Sequence, residues 1–114
     1  MKNALYALSQ GEPVGTVTYV FGDKIKARHI ARIFAVYVDP AYRGKGIGKR
    51  LLKRALELIQ ANKKIVKVQL MVNCEQRAAL NLYKSVGFNA VGLLKKETKV
   101  RGRFYDELIM EKML

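Results

Sequence analysis

The chain has 114 residues, 50% hydrophobic and 27% charged, with 22 Lys+Arg against 9 Asp+Glu and a net charge of +13. That length suits one domain burying roughly two-thirds of its unfolded surface, and the charge calls for anionic partners while opposing polyamines and other polycations. One cysteine, Cys74, excludes an internal disulfide; one histidine, His29, leaves no protein-only zinc set; and no apolar run approaches the ~20 residues that span a bilayer. The expectation is a soluble, cytoplasmic protein with no metal and no membrane partner.

In chain order, Ala4–Leu8 and Val14–Phe21 read as a hairpin around the turn Gln10-Gly11-Glu12-Pro13. Val14, Thr16, Thr18 and Val20 share one face of its second strand, and Val17, Tyr19 and Phe21 the other. Ile30–Val38, rich in β-branched and aromatic residues, reads as a central strand. Ile47, Leu51, Leu52, Ala55, Leu58 and Ile59 recur at three- and four-residue intervals, the buried stripe of a helix running to about Ala61. Ile65–Val72 follows as a strand, with Val66, Val68, Leu70 and Val72 opposed to Lys67 and Gln69. Strand, helix, strand in this order predicts a parallel pair with a right-handed crossover. Glu75–Val86 reads as a second helix with Ala78, Ala79, Leu82, Tyr83 and Val86 inward, closed by Gly87. Phe88–Leu94 and Arg103–Leu114 are the last strands, separated by a basic stretch that turns at Val100-Arg101-Gly102-Arg103. The expected class is α/β (α+β): a mixed, largely antiparallel sheet with a central βαβ unit and two main helices.

Between the central strand and the first helix lies Asp39-Pro40-Ala41-Tyr42-Arg43-Gly44-Lys45-Gly46-Ile47-Gly48-Lys49-Arg50. Glycines 44, 46 and 48 and the start of a helix offer bare backbone N–H groups and a positive dipole end, and there are no acids among the surrounding bases. This predicts a phosphate-binding loop. A Walker A pattern fails, because Arg43 stands where glycine is needed and Arg50 where Ser or Thr is needed. The dinucleotide pattern G-x-G-x-x-G begun at Gly44 fails at Lys49. ATP and NAD are poor fits.

What remains is Arg43-x-x-Gly46-x-Gly48 after a strand, and Val72-Asn73-Cys74-Glu75-Gln76-Arg77-Ala78-Ala79-Leu80-Asn81-Leu82-Tyr83-Lys84-Ser85-Val86-Gly87-Phe88 further on. In order and at this separation, the two motifs resemble those of the GNAT superfamily of acetyl-CoA-dependent N-acetyltransferases, over most of Val14–Leu114. The resemblance implies acetyl-CoA as co-substrate. Its pyrophosphate would lie on the amides of Arg43, Gly44, Lys45, Gly46, Ile47, Gly48 and Lys49, and its pantetheine arm beside Val36, Tyr37 and Val38. Asn73 and Gln76 would lie near the cofactor, with Gln76 replacing the family's usual asparagine. Tyr83 would stand by the leaving sulfur as hydrogen-bond donor first and proton donor second. With unperturbed groups, full transfer of the tyrosine proton to the thiolate is uphill by roughly 2 kcal/mol.

The resemblance assigns no general base, since Ile30–Val38 carries no acid. Asp106 and Glu107 are the substitutes, and Asp39 is read as a turn residue. Cys74 lies near the expected thioester, but no base beside it supports a covalent route. The chain is also expected to lack the family's usual first strand and first two helices, which form part of the acceptor wall; it reads as a minimal enzyme, as one whose second copy supplies the wall in a homodimer, or as a fragment of something longer. The expected activity is acetyl transfer to a primary amine, of a protein or a small molecule, by direct attack in a ternary complex. The alternatives are a non-catalytic acyl-CoA-binding module or regulatory GNAT-like domain and, from charge alone, a nucleic-acid binder. No helix-turn-helix, zinc or RNA-binding signature supports the last.

Overall fold

The computed structural model describes residues 2–114. The chain opens with β1 (Lys2–Ser9) and β2 (Glu12–Phe21), paired antiparallel through the two-residue turn Gln10-Gly11. Both turn residues have positive φ, +51° and +81°, which matches the twist of a tight hairpin and is why glycine sits second. The turn is thus shorter than the sequence suggested, and Glu12 and Pro13 belong to the strand.

β3 (Ile30–Val38) lies against β2, and α1 (Ile47–Ala61) then crosses to β4 (Lys67–Asn73), which pairs parallel with β3. After α2 (Arg77–Ser85), β5 (Asn89–Val100) and β6 (Arg103–Met113) form a hairpin whose second strand pairs with β4. The sheet order is β1-β2-β3-β4-β6-β5, and β3–β4 is its one parallel pair. The fold is the expected mixed α+β one. The basic stretch after Leu94 is not a loop. It continues β5 through a bulge to Val100, and only Arg101 and Gly102 turn. Asp106 on β6 holds that bulge by accepting a hydrogen bond from the Lys96 amide at 2.8 Å.

Both helices pack on one face of the sheet. Leu51, Leu52, Ala55, Leu56 and Ile59 of α1 are buried among Val17, Tyr19, Ala31, Ile33, Val68 and Leu70, and Tyr83 and Phe88 join the same core with Met110. Leu56 belongs to the buried stripe that the sequence pattern had drawn without it, while Leu58 sits at its edge. Gly15 permits this contact, since a Cβ there would stand 3.1 Å from Leu51 Cδ1 and 3.2 Å from the Tyr37 carbonyl. Val66, expected inward, is outside the strand and exposed; its amide instead bonds to the His29 carbonyl. α2 starts at Arg77 rather than Glu75, because the Asn73 side chain accepts the Glu75 amide at 2.8 Å and holds a turn before the helix. Ala78 is exposed rather than inward.

The feature that creates a site is a failure of pairing. The β3–β4 ladder runs from Ile30↔Lys67 to Ile33↔Leu70 and stops, though both strands continue. At that point β3 carries an extra residue against β2: Tyr19 pairs with Ile33, but Thr18 pairs with Ala35. A bulge bends its strand and increases local twist, so β3 swings away from β4 beyond Phe34. The splay opens a gap in the middle of the sheet, floored by helices on one side only.

Candidate active site

On the helix-covered side of the splay lies a cleft of about 730 Å³. Its walls are Val36, Tyr37 and Val38 of β3, the loop and helix start through Arg43, Gly44, Gly46, Ile47, Gly48 and Lys49, and Gln76 and Tyr83 around α2. Eleven of the thirteen cofactor-site residues named from sequence therefore share one cavity. Lys45 lies outside the lining, its ammonium 5.3 Å from the centre of the Tyr42 ring. Asn73 is also outside, its carbonyl engaged in the turn before α2. Tyr42, Arg77, Ala78, Ala79 and Leu82 complete the walls and are not among the cofactor-site residues to which the sequence motifs point. Tyr42 comes with the loop it precedes, while the approach of α2 to the loop brings in the other four.

The backbone of the loop explains what the cleft offers. Arg50 N bonds to the Gly46 carbonyl at 3.1 Å and Arg43 N to the Pro40 carbonyl at 3.4 Å, but the amides of residues 44 to 49 have no backbone acceptor. No side chain caps α1 either, as Gly46 occupies the N-cap position with φ +78°. Six consecutive donors thus stand free at a helix N-terminus, with no acid in its first turn. Such a row has the geometry and potential for a phosphate-bearing ligand. Gly44 and Gly46 both hold positive φ, and a Cβ at either position would meet nothing within 4 Å, so their faces are open. Gly48 is different: a Cβ there would touch Leu82, Val36 and Val38 at 3.6 Å, filling the floor of the cleft. Arg43 does not extend into it freely. Its Nε donates to the Val38 carbonyl at 2.8 Å and its guanidinium lies 5.7 Å from the Tyr37 ring centre, which ties the loop to the end of β3.

Tyr83 is buried, with its ring edge-on to Phe88 at 6.0 Å. No buried side-chain polar atom among the described residues lacks a partner, and the Tyr83 hydroxyl has none within the chain, so it opens into the cleft. Burial raises its pKa above the ordinary tyrosine value. It is a phenol at neutral pH, a donor of hydrogen bonds and a poor donor of a full proton.

A second cavity of about 350 Å³ lies on the opposite face of the same splay, lined by Arg32, Phe34, Gln69, Met71, Glu107 and Ile109 with the edges of Ile33 and Leu70. Of the two acids the sequence offered on the last strand, Glu107 faces this cavity, whereas Asp106 is committed to the Lys96 amide. Burial, and then the negative charges of Asp106 and Glu107, push the Cys74 thiol upward, away from the thiolate a covalent route requires. His29 is exposed at the start of β3.

The model of the acetyltransferase (GNAT) family matches residues 2–88. The N-alpha-acetyltransferase RimI of Mycobacterium tuberculosis is 43% identical over 70 residues, covering 61% of this chain and 42% of that protein. An acetyltransferase of the GNAT family from Streptococcus pneumoniae superposes with a TM-score of 0.93 at 28% identity, over 99% of this chain and 67% of that one. The ribosomal-protein-alanine N-acetyltransferase of Brucella melitensis does so with a TM-score of 0.88 at 32% identity, over 97% and 68%. The chain thus spans less than half the length of the RimI relative and about two thirds of each solved structure. A family model matching most of the chain, solved structures that follow it from end to end, and a free-amide loop at a splayed parallel pair agree: this chain belongs to the acetyltransferase (GNAT) family.

Proposed function

We propose that the chain transfers an acetyl group from acetyl-CoA to a primary amine by direct attack within a ternary complex. The row of six unsatisfied amides from Gly44 to Lys49, five of whose residues line the cleft, carries this reading. They would hold the pyrophosphate, with Lys49 at the lip adding positive charge, while the unpaired edge of β3 beyond Ile33 offers its backbone to the pantetheine arm. Acetyl-CoA supplies the activated acyl group. The chain positions it, presents an N–H of Val36–Val38 to the carbonyl oxygen, and sets the Tyr83 hydroxyl by the sulfur.

The names of two of the similar proteins, N-alpha- and ribosomal-protein-alanine N-acetyltransferase, make a peptide amino terminus the first acceptor to try. The test is calorimetric titration with CoA followed by thiol release from acetyl-CoA across a panel of peptides, lysine derivatives and small amines. Micromolar CoA binding and acceptor-dependent release are expected. Binding without release from any amine would leave an acyl-CoA-binding module, and absence of binding would remove the reading of the loop.

A further inference from the structure

Glu107 is the one charged side chain buried among the described residues, 8% exposed, in a protein of net charge +13. Yet it forms no ion pair there. Its one hydrogen bond comes from the Thr98 hydroxyl of β5 at 3.3 Å, to a single carboxylate oxygen. A buried carboxylate without a cation is costly, because the lost hydration is not replaced. Nearby bases are engaged elsewhere: Lys67 pairs with Glu111 at 2.8 Å, and Arg103 with Glu75 at 2.8 Å. Arg32, on β3 at the other side of the cavity, is exposed.

The cavity that Glu107 faces is mostly apolar, walled by Phe34, Met71, Leu70 and Ile109. Phe34 and Met71 are 58% and 44% exposed, too open for residues whose only purpose is the core. Its position matters as much as its lining. The last β3–β4 rung, Ile33↔Leu70, is part of its wall, and the donor cleft begins at Val36 on the same strand. The sheet is unpaired between them, so no β3–β4 backbone ladder separates the two cavities beyond that rung.

We propose that Glu107 is the general base of the transfer, holding the acceptor's ammonium in this second cavity, and that the acceptor is a primary amine with an apolar group beside its nitrogen. The proposal rests on the acetyl-transfer reading above. In the step, an ammonium proton passes to the Glu107 carboxylate and the freed nitrogen lone pair forms a bond to the thioester carbonyl carbon. The carbon–sulfur bond then breaks, the nitrogen gives its second proton to water, the sulfur takes one from water through the Tyr83 hydroxyl, and Glu107 returns its own proton to water. Free thiol, amide and one proton result. Burial, with the like charge of Glu97 on β5, raises the Glu107 pKa from its ordinary value against the opposing Thr98 hydrogen bond, the direction a base for this task needs. Other charged or titratable groups around the cavity are Cys74 after β4, Asp106 and Glu111 on β6, and Arg32 on β3.

The test compares the parent with Glu107→Gln, which keeps an acceptor for the Thr98 hydroxyl, using leucinamide and glycinamide as amines. CoA affinity, read separately by calorimetry, should be unchanged, and the melting temperature at neutral pH should not fall, since an unpaired charge has been removed. Leucinamide should be the better acceptor for the parent, and Glu107→Gln should lower its kcat by roughly 10²–10⁴-fold. That deficit should narrow as pH rises toward the amine's own pKa, where a base is no longer needed. Leucinamide should also bind CoA-loaded parent more tightly than CoA-loaded Glu107→Gln. Equal turnover and equal leucinamide binding by the two proteins, or no preference of the parent for leucinamide over glycinamide, would overturn the assignment. Loss of CoA binding in the parent would instead strike the donor-site reading.

Discussion

Replacing Gly46 with leucine should abolish CoA binding while leaving a folded protein. Gly46 has φ +78° and ψ +10°, and a Cβ there would meet nothing within 4 Å. The fold's penalty is therefore backbone strain alone, roughly 1–2 kcal/mol for a side chain in the left-handed region. Against a domain stability of about 5–15 kcal/mol, that lowers the melting temperature by about 4–12 °C without unfolding the chain at 25 °C. The effect on binding is larger. A leucine in this open space would compete with a ligand for the neighbouring amides, and each hydrogen bond to a charged group contributes about 1.5–3 kcal/mol. Shielding two of the six free donors weakens CoA by about 3–6 kcal/mol, or roughly 10²–10⁴-fold. Gly11→Leu is the control. Gly11 also has positive φ, +81°, and open space around it, but lies in the β1–β2 turn, away from the cleft. Both variants should melt alike by circular dichroism, and only the first should lose CoA by titration calorimetry. If Gly46→Leu bound CoA within about threefold of the parent, a difference under 1 kcal/mol, the amide row would not be the anion's seat.

Tyr83→Phe preserves the edge-on contact with Phe88 and removes only the hydroxyl, so kcat should fall roughly 10- to 100-fold with little change in KM for acetyl-CoA. An unchanged kcat would confine Tyr83 to the core. The same variant tests a linkage. Burial raises the folded-state pKa of Tyr83, so the stability associated with its neutral form is intact below the unfolded value of about 10 and is lost as pH rises above it. Alkaline melts should show a shallower decline for Tyr83→Phe than for the parent. At the acid end, hydrogen bonds from Lys67 at 2.8 Å and Gln69 at 2.6 Å lower the pKa of Glu111. Its contribution is present above the unfolded pKa of about 4.3 and fades as pH falls below it, so melts of Glu111→Gln between pH 5 and 3 should lose less stability than the parent's, in the window set by about 4.3. Equal acid slopes would mean that the Lys67–Glu111 pair contributes nothing measurable.

Local information was enough for much of the architecture. Ile30–Val38 and Ile47–Ala61 matched their predicted bounds because strand alternation and helical periodicity are each written in neighbouring side chains. The glycine loop was legible for the same reason: spacing alone places bare amides at a helix start. The errors cluster where a distant partner decides. β5 runs on to Val100 through a Lys-rich segment because β6 supplies its ladder and Asp106 closes its bulge. Leu56 is buried because of how α1 lies on the sheet, which periodicity constrains only to within a residue or so.

Glu107 shows the same division within the site. As one of two adjacent acids on the last strand it could not be told from Asp106 by sequence. Strand alternation points the two to opposite faces, and only the structure shows which face holds the cavity and which acid has its charge engaged. The sequence by itself determined the family, the glycine-rich loop at the helix start and the order of elements, since each depends on residues close together in the chain. The tertiary structure decided the splay of β3 from β4 and the pairing of two cavities across it. Those depend on a one-residue bulge against β2 and on a ladder that ends at Ile33↔Leu70, relations between strands that no single stretch of sequence contains.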